Sequence, residues 1–171
     1  QMMEKVVLPP FQPRLTEEEI KIKCPWATLG KPANRKPNYI YSLQLEAEEM
    51  EELNLRLQSR YRTIEKNEVL FEEFDCEDAE YLIVAFGTSA RVCQKAVEVA
   101  RAQGIKAGLL RPITLFPFPT EQISHYANQT KGMLTVEMSA GQMVEDVRLA
   151  VNGRVPVEFY GRMGGIVPSP D

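Results

Sequence analysis

Four short segments carry the residue types that could do chemistry in this 171-residue chain. Gly87-Thr88-Ser89-Ala90-Arg91 offers two hydroxyls and a run of backbone N–H groups, a donor set that can hold a phosphate where it opens a helix. It is not G-x-G-x-x-G and lacks the phosphate-loop lysine, so a plain capped turn outweighs a nucleotide site. Glu137 precedes a Ser139-Ala140-Gly141-Gln142 turn and could serve as an acid or base. No second carboxylate or histidine stands at a spacing that would divide those roles, so a hydrogen-bonding role, structural or at an interface, is expected. Arg162, in Gly161-Arg162-Met163-Gly164-Gly165, could bind an anion, although a flexible linker explains the same residues equally well. The fourth segment, RPITLFPFP (111–119), places three prolines and two phenylalanines directly after an apolar run. A crossover loop needs neither that stiffness nor that apolar surface.

Other catalytic sets are missing. No Ser–His–Asp or Cys–His constellation is visible, and the single histidine, His125, lies in a polar run suited to a helix surface. Cys24, Cys76 and Cys93 form no C-x-x-C pair, so neither a zinc site nor an iron–sulfur cluster can be built from them, and reduced thiols of a cytoplasmic protein are expected. Residues 1–80 hold 11 Lys+Arg against 17 Asp+Glu, and residues 81–171 hold 9 against 7, which sums to the net −4 of the chain. Neither part has the basic stripe of a nucleic-acid footprint. No apolar stretch reaches the roughly 20 residues of a membrane span, and no secretory signal is visible. The chain opens on Gln1 and reads as a piece of a longer one.

These loops need elements to position them. Residues 1–67 are expected to be a proline-rich extended arm and a long amphipathic helix. Half of the prolines fall within residues 1–41, where they forbid regular structure for long. Thr16 with Glu19 forms a capping-box pattern, and Val6, Val7, Leu8, Phe11 and Trp26 suggest an arm lying on a surface. The long helix is expected from a Ser42 cap to about residue 67, with a stripe of Met50, Leu53, Leu57, Tyr61 and Ile64. Residues 68–171 are expected to be a small, doubly wound, mostly parallel α/β domain. Strands are read at 81–86, 105–110, 133–138 and 155–160, with an antiparallel edge strand within 68–74. Helices lie between them: one capped by Thr88 or Ser89 and ended by Gly104, one over about 120–128, and one over 141–151 with Leu149 partly buried. In such a sheet ligands and partners meet the loops at the carboxyl ends of the strands, which is where all four segments fall.

The runs YLIVAFGTSAR, LRPITLFPFP, EMSAGQM and FYGRMGGIVPSP resemble the alpha subunit of 2-oxoacid:ferredoxin oxidoreductases, in its C-terminal part. They are similar above all to the 2-oxoisovalerate (3-methyl-2-oxobutanoate) branch and then to the 2-oxoglutarate branch. The resemblance implies a transketolase C-terminal-like fold, in agreement with the α/β pattern. It also implies an enzyme that decarboxylates a 2-oxoacid oxidatively on thiamine diphosphate and Mg, forms an acyl-coenzyme A, and passes electrons through iron–sulfur clusters to ferredoxin. The pyrimidine-binding domain would precede this piece, and the diphosphate-binding domain and the clusters would lie on other domains or subunits. No cofactor is then expected on this chain and no catalytic residue in it. Its role would be to assemble and shape the site, inactive alone. Arg111, Thr114, Phe116, Phe118, Glu137, Gln142 and Arg162 are expected to form the face that meets the neighbour, beside Gly87, Thr88 and Ser89. Arg111 could instead hold a carboxylate or phosphate of a ligand. The alternative is a structural or regulatory module binding a small anion at residues 87–91 and 161–165.

Overall fold

A computed structural model describes residues 8–26, 36–37, 39 and 42–170. The chain divides into two compact units, Lys5–Asn54 and, with Gln1–Glu4, Leu55–Asp171. In the first, α1 (Glu17–Lys23) begins as its sequence predicts. The Thr16 hydroxyl accepts from the Glu19 N–H at 3.2 Å, and the Glu19 carboxylate accepts from the Thr16 N–H at 2.9 Å, so two orphan donors are satisfied reciprocally. Leu8, Phe11 and Trp26 are exposed, so the structure does not show these side chains covered; Val6 and Val7 lie outside the described residues.

Helix α2 (Ala47–Asn67) starts later than its sequence suggests. Ser42 is not its cap, because the first helical hydrogen bond runs from the Met50 N–H to the Glu46 carbonyl at 3.1 Å. Glu48 and Glu49 fill the first turn and Lys66 the last, an arrangement that suits the helix dipole. Its expected stripe is only half-buried at Leu53, Leu57 and Ile64, and exposed at Met50 and Tyr61.

The sheet contains β1 (Phe71–Phe74), β2 (Tyr81–Ala85), β3 (Ala107–Pro112), β4 (Gly132–Glu137) and β5 (Val157–Gly161), in the order β1-β3-β2-β4-β5. All neighbours are parallel except β1, which is antiparallel to β3 at the edge. Strand β3 runs two residues beyond its apolar run because β1 pairs with that end, Glu72 facing Arg111 and Phe71 facing Pro112. Alternation along the strands makes two cores. Leu82, Val84, Leu110 and Met133 face α4 (Thr120–Tyr126) and α5 (Met143–Val151), meeting Ile123, Tyr126, Val147 and Val151. Ile83, Ala85, Ala107, Leu109 and Val136 face α3 (Gly87–Ala102), meeting Ala90, Cys93 and Val97. Leu149 turns outward and is 77% exposed, against the expectation that it would be partly buried: it falls off the stripe formed by Met143, Val147, Ala150 and Val151.

Tight joints hold the strands to their helices. Helix α3 ends in a Schellman turn: the Gly104 N–H donates to the Arg101 carbonyl, the Ile105 N–H donates to that of Ala100, and Gly104 sits at φ +86°. Arg101 then reaches across the amino edge of the sheet. Its guanidinium donates to the Ala107 and Asp75 carbonyls and to the Asp78 carboxylate, which holds the Asp78 carboxyl below the usual range. At Gly108 a Cβ would lie 2.8 Å from the Asp75 carbonyl oxygen, so β3 passes that turn without room for a side chain.

Two features of the cores give testable consequences. The Thr135 hydroxyl is buried on β4 and has no hydrogen-bond partner. Thr135→Val keeps the shape and removes an unsatisfied polar group, so it should raise stability by about 1 kcal/mol, read as a higher urea midpoint at unchanged slope. Burial pushes the Cys76 thiol up to about 11 and the Cys93 thiol up to about 12. Both folded values lie above the ordinary 9.0, so their contribution is intact below pH 9 and is lost as the pH rises towards 11 and 12. The unfolding free energy should therefore fall with pH through that window, and less steeply in Cys93→Ala.

Candidate functional site

The topology directs attention to one crevice. The connection after β2 runs through α3 to β3 on one side, and the connection after β4 runs through α5 to β5 on the other. The carboxyl ends of β2 and β4 therefore flank the switch point where open α/β sheets take ligands. Glu137 closes β4 there and is 1% exposed. Its carboxylate accepts from the Ser139 hydroxyl at 3.1 Å and from the N–H groups of Gln142 at 3.2 Å, Met143 at 3.0 Å and Val144 at 3.0 Å. Those amides are the opening donors of α5, whose N-cap residue, Gln142, supplies no side-chain cap. A carboxylate from the preceding strand thus does the capping, at the positive end of the helix dipole.

The same knot gathers neighbours. The Ser139 hydroxyl accepts from the Gly141 N–H at 3.1 Å, and the Arg162 N–H donates to the Glu137 carbonyl at 3.0 Å. A Cβ at Gly161 would lie 2.5 Å from both the Ser139 carbonyl oxygen and the Phe159 ring, so β5 can approach this turn only as glycine. Backbone hydrogen bonds thus bring Gln142 and Arg162 to Glu137, whose carboxylate caps α5. Its carboxylate oxygens are committed to these donors.

Gly87, Thr88 and Ser89 lie inside the first turn of α3, not in a loop ahead of it. Phe86 is the N-cap, and neither Thr88 nor Ser89 caps the helix as the sequence suggests. The chain leaves β2 at Gly87 with φ +54°, a conformation that favours glycine, and the helix starts at once with no place for a capping side chain.

Segment 111–119 splits in two directions. Arg111 belongs to β3, and its guanidinium pairs with Glu72 of β1 at 2.8 Å, within the domain. The Thr114 hydroxyl accepts from the Leu70 N–H at 3.0 Å and donates to the Pro117 carbonyl at 2.8 Å. The Phe116–Pro117 bond is cis. Phe118 turns inward and packs on the core beneath α4 and α5, contrary to its expected place on the outer face. Phe116 is 61% exposed and lies edge-on to the Tyr61 ring, at 6.1 Å between centroids, while Ile113 and Leu115 are about half exposed.

The opposite edge of the sheet holds a cavity of about 300 Å³ that sequence reasoning missed, because its residues come from β1, the turn after it and a distant helix. Glu73, Asp75, Cys76, Glu77, Asp78 and Tyr126 line it. Burial keeps the Cys76 thiol protonated at neutral pH, which removes it as a nucleophile. Among the described residues no group of three or more His, Cys, Asp or Glu is placed to hold a metal ion. Cys76 and Cys93 belong to opposite faces of the sheet. The described residues therefore do not fit an iron–sulfur cluster or a catalytic metal. No helix among the described residues is long and apolar enough to cross a membrane.

Residues 79–171 match the family of pyruvate:ferredoxin oxidoreductase core domain II. Ketoisovalerate oxidoreductase subunit VorB of Methanothermobacter marburgensis is 50% identical over 140 residues, covering 82% of this chain and 39% of the relative. The chain belongs to the 2-oxoacid:ferredoxin oxidoreductase family. The VorB subunit of Methanothermobacter thermautotrophicus agrees, at 47% identity over 89% of this chain and 43% of its own length. The chain thus spans about two fifths of the length of the curated relatives it matches. The 2-oxoglutarate:ferredoxin oxidoreductase of Magnetococcus marinus, solved with 2-oxoglutarate, coenzyme A and succinyl-CoA bound, shares the fold at a TM-score of 0.63 and 19% identity. That match covers 74% of this chain and 22% of the other.

The capping role of Glu137 is testable in this chain. Glu137→Ala strands three amides, those of Met143 and Val144 buried, and should lower stability by about 3 kcal/mol in urea unfolding. Glu137→Gln keeps one acceptor and should cost about half as much.

Proposed function

We infer that this chain is the C-terminal α/β part of the alpha subunit of a thiamine-diphosphate-dependent 2-oxoacid:ferredoxin oxidoreductase. The reaction is the oxidative decarboxylation of 2-oxoisovalerate to its acyl-coenzyme A with ferredoxin as electron acceptor. The observation that carries this reading is the 50% identity to a ketoisovalerate oxidoreductase subunit over 82% of this chain. Residues 1–67 are the arm and helix, and residues 68–171 the domain. The chain's partners are the rest of its own subunit and the subunits that hold thiamine diphosphate, Mg and the iron–sulfur clusters, in the cytoplasm. Its role is to assemble and shape their site, a reading supported by Glu137, whose carboxylate is taken up in capping α5. The exposed apolar row of Ile113, Leu115 and Phe116, with Arg111, Thr114, Gln142 and Arg162 on the same edge, supports a contact surface there.

The assembled complex should reduce ferredoxin with 2-oxoisovalerate and coenzyme A, and prefer that acid to 2-oxoglutarate by about tenfold or more in kcat/KM, a difference of about 1.4 kcal/mol in transition-state binding. The chain of 171 residues alone should give no reduction. Turnover by the chain alone would refute the assembly role, and a preference for 2-oxoglutarate would reassign the substrate. Phe116→Ser should leave the chain folded and weaken its retention in the complex by about tenfold or more on gel filtration.

A further inference from the structure

We propose that the free edge of β5 pairs with the same edge of a second copy of the chain, antiparallel about a two-fold axis at Phe159, so that two five-stranded sheets become one. This inference does not rest on the family reading. The Pro156 carbonyl accepts from the Met133 N–H, and the Arg162 N–H donates to the Glu137 carbonyl. In a parallel ladder alternate residues bond to a given neighbour, so Glu158 and Tyr160 turn their backbone groups towards β4. Val157, Phe159 and Gly161 turn theirs outward. Their N–H groups have no hydrogen-bond partner among the described residues.

This edge fits a copy of itself. With the axis at Phe159, that residue faces its own counterpart and Val157 faces Gly161, a register in which every outward N–H finds an outward carbonyl. The side chains agree with it. By alternation Glu158, Tyr160 and Arg162 share one face of the strand, where Glu158 is exposed and Tyr160 is 43% exposed. Glu158 then stands opposite Tyr160 of the second copy and diagonal to its Arg162. Among the described residues neither Glu158 nor Arg162 has an ion pair within the chain. Pairing supplies each with an opposite charge, twice over by symmetry.

The other edge of the sheet is built differently. Strand β1 carries Glu72 and Glu73 within four residues, with Asp75 just beyond, so a second copy arriving there meets its own sign. Between Val157 and Gly161 there is one acid, no proline and no break in the register with β4. Because the two β5 strands run in opposite directions, the carboxyl edges of the two sheets point apart, and the row of Ile113, Leu115 and Phe116 stays open on each copy. Five residues a side fall short of the roughly 20–30 of a standard interface, so the dimer is weak, with a dissociation constant on the order of 100 µM.

The test is sedimentation of the chain from about 10 µM to about 1 mM, with amide hydrogen exchange measured at both ends of that range. A reversible dimer is expected, with exchange slowed at high concentration at Val157, Phe159 and Gly161 and unchanged along β1. Glu158→Arg should weaken the dimer by about tenfold, and Arg162→Glu added to it should restore pairing. In a Cys24→Ser background, chains carrying Glu158→Cys should form disulfides with chains carrying Tyr160→Cys in preference to their own kind. A chain that stays monomeric throughout overturns the proposal. So does a dimer whose protection falls outside β5 or that Glu158→Arg leaves intact. If the chain is monomeric and the three amides slow only in the assembled complex, the edge takes a strand of another subunit, and pairing with a second copy is overturned.

Discussion

The carboxylate of Glu137 at the start of α5 is the contact on which the carboxyl edge of this domain depends. A buried charge is costly unless every lone pair is answered, and here three amides and a hydroxyl answer it. That single group fixes where β4 stops, how the 139–142 turn folds and where α5 begins. The backbone of the same residue then takes the Arg162 N–H, so the exit from β5 is set from the same point. Gly161 follows from this, because β5 must pass the Ser139 carbonyl at a distance that no side chain allows.

The two helices that begin at this edge illustrate opposite ways of treating a helix start. Helix α5 is closed by a charge that arrives from the neighbouring strand, which makes its first turn part of the core. Helix α3 begins abruptly after a left-handed glycine, and its first two residues remain exposed. One start serves stability, and the other leaves its donors at the surface. Burial in the two cores is otherwise even, with Leu82, Val84, Leu109 and Leu110 fully enclosed between layers.

Much of this was legible in the residues. The apolar runs gave the strands, the antiparallel edge strand and the strand–helix rhythm, because periodicity and glycine placement are local properties. The α1 capping box and the Gly104 helix end were legible for the same reason. Helix starts were the failures. Ser42, Thr88 and Ser89 are good capping residues by type, yet the first sits outside its helix and the others sit within theirs. The residue that does cap, Glu137, lies five residues before Gln142, and only the fold brings them together. Arg111 was misplaced for a related reason: its partner Glu72 is 39 residues away in sequence.

The segment from Arg111 to Pro119 carries one more consequence. Thr114 ties it to both Leu70 and Pro117, Phe118 anchors it in the core, and its prolines restrict the backbone between. The exposed row above, Ile113, Leu115 and Phe116, is thus displayed on a preorganised template. A surface that settles there finds its shape already set, and association loses little ordering entropy on this side.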